Sequence, residues 1–574
     1  MLVFYDYEVF ERDWLCVIIS PSEDVIYKVH NNEDRLHDIY KMYSEDVWVG
    51  YNNRHYDKYI QQCILCGFNP KLMNDWLIEG KQGWQYSKRL NDYPFINYDV
   101  AQQYRSLKEL EGFQGHNIKE TGVDFNISRA LTEEEIAETF KYCENDVLET
   151  MEIFRLTYNE FEALTWLIKT FDFPLSYYSK TKAQICAEIL ACEKTTFDDE
   201  WDISVLPCID VGKYWQAKDW FLEVKDYAKK LDMDIAGVPH TLAFGGIHGA
   251  KNNYNHICSR GELLLHIDVA SYYPRLMIYH GLLTRASKRP KKFKEIFDER
   301  IRRKAAGDKK GQAPLKIVIN GGYGICKDKD SKAYDPRNAN MICINGQLML
   351  VDLIDKLENG VPSFDLIQSN TDGLIIKIKR EDFEKVDDIC YEWETRCNMV
   401  LEFDYIERIY QKDVNNYVFR FTNGTLERKG KWTKEKSDLD NDMAILNEAL
   451  CAKLIDDIPI EKTIGECDDL SKFQRIFKTG DKFKCVVLNV NGKDYETDNK
   501  CNRVFATTDS FSGVVYKVKE DGRRDKVGET SIHSLILNDD LRKYTPKSID
   551  LDRQWYIDEC NKRYRKFMKA EGVA

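Results

Sequence analysis

Two groups of acidic side chains, far apart along the chain, have the spacing to hold metal ions. Asp6 and Glu8 lie two apart in VFYDYEVF, an apolar run that reads as a strand. A strand's period of two puts both carboxylates on one face. Neighbouring carboxylates repel unless a cation sits between them, so the pair favours Mg²⁺ or Mn²⁺. Asp57, in GYNNRHYD, follows the apolar run DVWVG. Tyr142 and Asp146 stand at i and i+4 in YCENDV, on one helix face. The second group is Asp268, at the end of LLLHID, and Asp372, in an NTDG turn between apolar runs. An acid ending a buried strand is costly unless it is paired or ligates a metal. Two acids on separate strands can share cations about 3.5–4 Å apart, the arrangement for phosphoryl transfer. Each motif also has a plain structural reading: an exposed strand edge, a surface helical pair, an ordinary hairpin turn.

The elements that must position these residues follow from periodicity. VFYDYEVF, LCVIIS, DVIYKVH and DVWVGYNN read as strands, and the first 160 residues as α/β. LTEEEIAETFKYCENDVLETMEIF is an amphipathic helix with Thr132 as its cap and acids in its first turn. Residues 160–240 read as mainly helical, FGGIHGA (244–250) as a glycine-rich turn, and LLLHIDVASYYP (263–274) as a buried strand ending at proline. Residues 364–379 read as a hairpin around NTDG. Helices are expected near 291–306 and 313–322. Beyond about 425 the chain is mixed and more polar, without nameable chemistry.

At roughly 150 residues per domain, 574 residues suggest about three to five domains. With 43% hydrophobic and 31% charged residues, the chain can bury a core and is not disordered. No apolar run approaches the roughly 18 residues of a membrane helix. Acids at 6 and 8 and no basic head argue against a secretory leader. The 17 cysteines show no regular framework, so a reducing, cytoplasmic setting is expected. Cys63 and Cys66 form a lone CxxC without a second pair and read as packing. The net charge of −13 alone argues against binding nucleic acid. Between Arg285 and Lys316, however, 13 Lys or Arg face 4 Asp or Glu, a local +9.

These motifs, in this order, resemble those of the family B DNA polymerases. Asp6-Tyr7-Glu8, Asn53-Arg54-His55-Tyr56-Asp57 and Tyr142-Cys-Glu-Asn-Asp146 resemble the three exonuclease motifs. DVASYYP resembles motif A, KIVINGGYG motif B and QSNTDG motif C. The resemblance covers about 1–430 and implies an RNase H-like 3′–5′ exonuclease domain plus a right-hand polymerase, a multidomain α/β and α+β chain. It implies that Asp6, Glu8, Asp57 and Asp146 hold two Mg²⁺ or Mn²⁺ ions. Tyr142 would orient the attacking water. Asn53, Tyr56, Ser106 and Leu107 (in SLKEL) would touch the single-stranded 3′ end. Asp268, the neighbouring Val269 and Asp372 would hold two ions in the second site. There Lys316, one helical turn before Asn320, would aim a cation at the triphosphate. Arg300 and Lys304, also i and i+4, would add to that clamp. Ser271, Tyr272 and Tyr273 would complete the dNTP site, with Tyr273 against the sugar and Tyr323 near the nascent pair. Gly324, Thr371, Gly245, Gly246, Tyr417, Lys429 and Lys431 would lie along the DNA.

The departures are specific. Asn370 stands where motif C usually has its first acid, Gln368 replaces the motif's Tyr, Gly373 its Ser, and Gly321 the Ser of motif B. The Y-x-G-G linker appears as Ala243-Phe244-Gly245-Gly246. The intervals between motifs A and B and between B and C leave no room for the insertions of the protein-primed branch. An ordinary primer user without built-in strand displacement is expected, of phage or mobile-element type. The expected domains are the exonuclease (1–165), connector and first palm part (166–284), fingers (285–322), second palm part (323–427) and, by position alone, thumb (428–574). Expected partners are primer–template DNA and dNTPs, for a monomer in the host cytoplasm. No clamp-binding peptide stands out in RYRKFMKAEGVA, and no processivity factor or single-strand-binding partner is identifiable. Alternatives are a 3′–5′ exonuclease with a degenerate palm, motivated by Asn370 and Gly373, and a non-catalytic DNA-binding replication scaffold.

Overall fold

The computed structural model describes residues 1–568 apart from Gln103 and Asp498, so the end of the RYRKFMKAEGVA stretch lies outside the described residues. The chain folds as two compact units, each assembled from separated segments. The first holds Met1–Thr181, Lys436–Ile445 and Glu466–Tyr556. The second holds Lys182–Glu435, Leu446–Gly465 and the segment from Ile557. Several sheets and many helices make this a mixed α/β, multidomain chain.

In the first unit, β1 (Leu2–Val9), β2 (Trp14–Ile19), β3 (Ile26–His30), β4 (Val47–Gly50) and β5 (Asn97–Asp99) form a sheet in the order β3-β2-β1-β4-β5. Short connections let β1, β2 and β3 pair as an antiparallel meander. The chain then crosses through helix Glu33–Met42, so β4 lies parallel to β1, and β5 parallel to β4. The first four strands match the sequence reading; β5 is three residues long and carries no periodicity to read. An aromatic-rich core of Tyr5, Tyr7, Trp14, Trp48 and Phe95 lies under the sheet. Helix Glu133–Leu156 packs on β1 and β2. Thr132 caps it as expected: the Glu135 amide donates to Thr132 Oγ1 (3.3 Å), and the Thr132 amide to Glu135 Oε2 (2.8 Å).

The second unit is built on a ten-stranded sheet. Its strands are β6 (Lys230–Ile235), β7 (Val238–Ala243), β8 (Gly246–Ala250), β9 (Tyr254–Ile257), β10 (Glu262–Val269), β11 (Asp365–Asn370), β12 (Gly373–Lys379), β13 (Leu401–Asp413), β14 (Asn416–Phe421) and β15 (Leu426–Lys429). Their order is β15-β14-β13-β10-β12-β11-β8-β7-β6, with β9 also on β13. β11 and β12 are the expected hairpin. FGGIHGA is not all turn: residues 246–250 form β8, which finds partners on both sides in β7 and β11. The basic stretch forms helices Pro290–Ala305 and Lys309–Lys327; the second is longer than expected at both ends and starts at Lys309, where Asp308 caps it at Gly311 N (2.8 Å). Helix Pro336–Gly360 is buried along most of its length.

The C-terminal stretch 428–574, expected as one domain, is divided between the two units. Within the first unit, β16 (Arg475–Lys478), β17 (Cys485–Val490), β18 (Lys493–Thr497), β19 (Cys501–Ala506), β20 (Val514–Val518), β21 (Arg524–Lys526) and β22 (Ser534–Ile536) make two small sheets, β16-β19-β22 and β18-β17-β20-β21. The N-terminal segment of the first unit runs to Thr181.

Arg503, wholly buried on β19, ties these strands to the N-terminal part of their unit. It donates to the carbonyls of Gly112 (3.1 Å), His116 (2.7 Å) and Asp539 (2.7 Å) and to Gln474 Oε1 (2.9 Å). Burial pulls its pKa down to about 10, so it keeps its charge at neutral pH. Arg503→Ala strands these acceptors, and we expect a loss of at least about 3 kcal/mol in urea unfolding. All 17 cysteines are free thiols, and Cys63 and Cys66 are buried as packing. Among the described residues, no helix is long and apolar enough to cross a membrane.

Candidate active sites

The first acid centre lies on the face of β1 that Asp6 and Glu8 share, while Tyr5 and Tyr7 point into the core. Asp146 reaches it from helix Glu133–Leu156. One oxygen from each of Asp6, Glu8 and Asp146 lies within 4.8 Å of the others. Asp57, the first residue of helix Asp57–Leu65, lines the same cavity of about 720 Å³. A helix N-terminus suits an acid there. The pKa of each of the four is raised, first by burial. Asp57 and Asp146 then add to the rise at Asp6, Asp6 and Asp146 at Glu8, and Glu8 at Asp57. An all-carboxylate cluster under mutual repulsion is a fit for a hard divalent cation.

Lys108, which sequence reasoning passed over although it stands in SLKEL, is the counter-ion of Asp146. Its Nζ lies 2.7 Å from Asp146 Oδ1, 3.1 Å from Glu111 and 4.7 Å from the centre of the Tyr142 ring. Tyr142 does not line the acid cavity. Its hydroxyl donates to Glu120 Oε2 (3.3 Å), and it lines a neighbouring cavity with Lys108 and Glu120. Asn53, expected on DNA, is wholly buried: its amide donates to the Tyr98 carbonyl (3.1 Å) and its oxygen accepts from Asn97 (3.0 Å). Tyr56 lines the cavity, with its hydroxyl on Asn74 Oδ1 (2.5 Å). Ser106 and Leu107 also line it, Ser106 as the cap of helix Leu107–Phe113.

The second acid centre is set by strand register. Asp268 on β10 stands opposite Gly373 on β12 and Glu402 on β13. Asp372 sits in the β11–β12 turn, and its carbonyl accepts from Val269 N (2.8 Å). Asp268, Val269, Asp372 and Glu402 line a cavity of about 450 Å³. Burial first, then Asp372 and Glu402, push the Asp268 pKa up to about 7; burial also raises that of Asp372. Glu402 is a third acid that the sequence did not reveal. Lys304 pairs with it (3.0 Å) at the solvent-exposed rim of the cavity.

Ser271, Tyr272, Tyr273, Arg300, Lys304, Lys316, Asn320, Tyr323 and Thr371 line the same cavity. Ser271 holds a left-handed backbone (φ 55°) at a non-glycine residue, and Arg300 donates to its Oγ (3.1 Å). The Tyr273 and Tyr323 rings lie 4.8 Å apart. Tyr272 is buried, its hydroxyl on the Gly346 carbonyl (2.5 Å). A second cavity, of about 330 Å³, shares Asp268 and Asp372 and adds Tyr417 and Lys429, which face each other across β14 and β15. Lys431 lies beyond β15 and lines neither cavity. Gly324 is exposed, with open space where a side chain would project. A Cβ on Gly246 would lie 3.5 Å from Thr371 Oγ1, which sets the β7–β8 turn beside the acid turn; Gly245 is exposed there. Phe244 is buried among Trp201, Trp220, Phe221 and Tyr227 and serves the core.

Two departures have local causes. Asn370 Oδ1 bonds His248 Nδ1 (3.0 Å) instead of offering a charge. A Cβ on Gly373 would meet Asp268 Oδ1 and the Ile267 carbonyl, each at 2.9 Å, so only glycine leaves the carboxylate its place. Gly373→Ser is expected to displace Asp268 and slow any metal-dependent reaction here by about tenfold or more in a steady-state assay.

No protein-family model matches the chain, and no curated protein matches it. Among solved structures, the family B DNA polymerase from the hyperthermophilic archaeon Pyrobaculum calidifontis is a distant neighbour, at 13% identity and a TM-score of 0.43. The match covers 100% of this chain and 78% of that one.

The raised acids make a pH prediction. A carboxyl whose folded pKa lies above its unfolded value favours the fold when protonated. That stability is present below the unfolded pKa and is lost as pH rises through the folded one, near 7 for Asp268. A bound cation replaces the proton. Mg²⁺ or Mn²⁺ is therefore expected to raise Tm more at pH 8 than at pH 5, read by differential scanning fluorimetry.

Proposed function

We propose that this chain is a DNA-directed DNA polymerase with a separate 3′–5′ proofreading exonuclease site. The observation that carries the proposal is that six acids, drawn from five of the six sequence motifs, line two separate cavities, one in each unit. The motif order resembles family B. In the first unit, the strand order β3-β2-β1-β4-β5, with the acids on the central strand and on helices beside it, fits an RNase H-like nuclease.

Asp268 and Asp372 would hold the divalent ions of the polymerase site; Asp6, Glu8, Asp57 and Asp146 those of the exonuclease. When bound, such ions stabilise charge on the reacting phosphate and lower the pKa of the attacking hydroxyl or water. The chain's own residues do the rest. Lys316 and Arg300 supply cations for a dNTP triphosphate, and Asn320 shares the face of Lys316. The Tyr273–Tyr323 pair forms the wall against which the sugar packs and a 2′-hydroxyl is refused. Tyr417 and Lys429 hold the primer end beside the acids. The basic helices act as fingers between the two palm parts. Lys108 steadies the charge of Asp146, and Tyr56, Ser106 and Leu107 line the way for a frayed 3′ end. The partners are primer–template DNA and dNTPs, for a monomer in the cytoplasm of a phage host.

A 5′-labelled primer on a template, incubated with Mg²⁺, tests this. The primer is expected to lengthen with dNTPs and to shorten without them. Shortening without lengthening under every dNTP and metal condition selects the rival reading, a nuclease whose palm is inert, for which Asn370 is the motive. Binding with neither activity selects a scaffold.

A further inference from the structure

The cavity of the first acid centre is lined by residues up to Asp146, with one exception. Lys478, the last residue of β16, joins it from the C-terminal segment of the same unit. Arg105, another cation of that wall, is committed to Glu109 (3.4 Å) and Asp440 (3.2 Å). Lys478 has no ion pair among the described residues.

Lys478 also begins a basic strip. The Lys517 ammonium donates to the Lys478 carbonyl (2.6 Å). It stands 5.1 Å from the ring centre of Phe477 and 5.7 Å from that of Phe483. Lys482 stands 5.2 Å from the Phe483 ring. Neither Lys482 nor Lys517 has an ion pair among the described residues. Asp481 is the single acid in the loop 479–484. Burial lowers the Lys517 pKa, and repulsion from Arg475 and Lys482 lowers it further. Unpaired cations held against each other around a partly exposed ring are poised for a polyanion with flat bases. Phosphates answer the lysines, and a base answers the ring.

We propose that Lys478, Lys482, Lys517 and Phe483 form a track that leads a single-stranded DNA 3′ end into the first acid centre. The proposal rests on the exonuclease reading of that centre and extends it to the C-terminal strands, which otherwise have no task. Lys478 meets the phosphates nearest the acids, and Phe483 stacks a base further out.

The test compares the full chain with a triple Lys478→Ala, Lys482→Ala, Lys517→Ala variant and with the matching triple Lys→Arg variant. The DNA is an oligothymidine of about 12 nucleotides. Anisotropy in EDTA reads binding without cleavage. The alanine variant is expected to bind about tenfold more weakly. Its salt slope should fall by about 2, since each lost phosphate contact on a single strand counts roughly 0.7. The arginine variant should bind like wild type. With Mg²⁺, the alanine variant should raise KM for the strand and keep kcat within about twofold. Unchanged affinity and salt slope, in an alanine variant that melts like wild type, overturn the track. If wild type binds the strand but never shortens it, the exonuclease reading fails and the proposal falls with it. The two failures are told apart by whether the lysines affect binding.

Discussion

Asp372→Asn is expected to stop primer extension and to leave primer shortening intact. The substitution keeps the size of the side chain and removes the charge. Asp372 sits in a two-residue turn whose position is fixed by β11 and β12, and Asp268 faces it from β10. Both acids are held at raised pKa, so the fold keeps them together at a cost that a cation offsets. With Asn370 already neutral, no acid in the turn remains to take over. The extension rate is expected to fall by on the order of 10³-fold, the scale of losing one electrostatic partner of a reacting group. Gel-resolved single-nucleotide incorporation measures it. Extension within tenfold of wild type would sink the polymerase assignment of this centre.

Asp6→Ala is expected to have the reverse effect. Asp6 stands in the carboxylate triad with Glu8 and Asp146, and its carboxylate also accepts from the Cys143 thiol (3.5 Å). Its removal breaks the donor set of the first centre. Degradation of a single-stranded 3′ end is expected to fall by on the order of 10³-fold. Extension should stay within about twofold, because the acids of the second centre belong to another compact unit. A time course of primer shortening without dNTPs, set beside extension with dNTPs, reads both in one preparation. Loss of both activities would mean that the centres are not independent.

What could be read in the sequence was local. The strands carrying Asp6 and Glu8, the helix carrying Tyr142 and Asp146, its Thr132 cap and the hairpin around Asp372 all follow from periodicities and turn residues within a few positions. What could not be read depends on pairing between distant segments. Glu402 faces Asp268 only because β13 lies beside β10, a neighbourhood that nothing in either strand announces. Lys304 looks like a free cation until Glu402 is placed opposite it. Asn53 stands in a motif that suggests an exposed contact, yet Asn97 on β5, too short to detect, draws its side chain inward. Tyr142 has the expected spacing from Asp146, but Glu120 captures its hydroxyl. Lys108 takes its role from Asp146, on another helix, so its own surroundings in the sequence do not announce it.

The return of residues 466–556 to the first unit bears on the birth of the protein. A ribosome that has finished the N-terminal segment has made every carboxylate of the first centre but not the strand that carries Arg503. Gly112 and His116 must wait for their buried donor until most of the chain has emerged. Truncated products ending near 435 would therefore carry a first unit with an open seam, and shortening the gene from its 3′ end should harm the part encoded at its 5′ end.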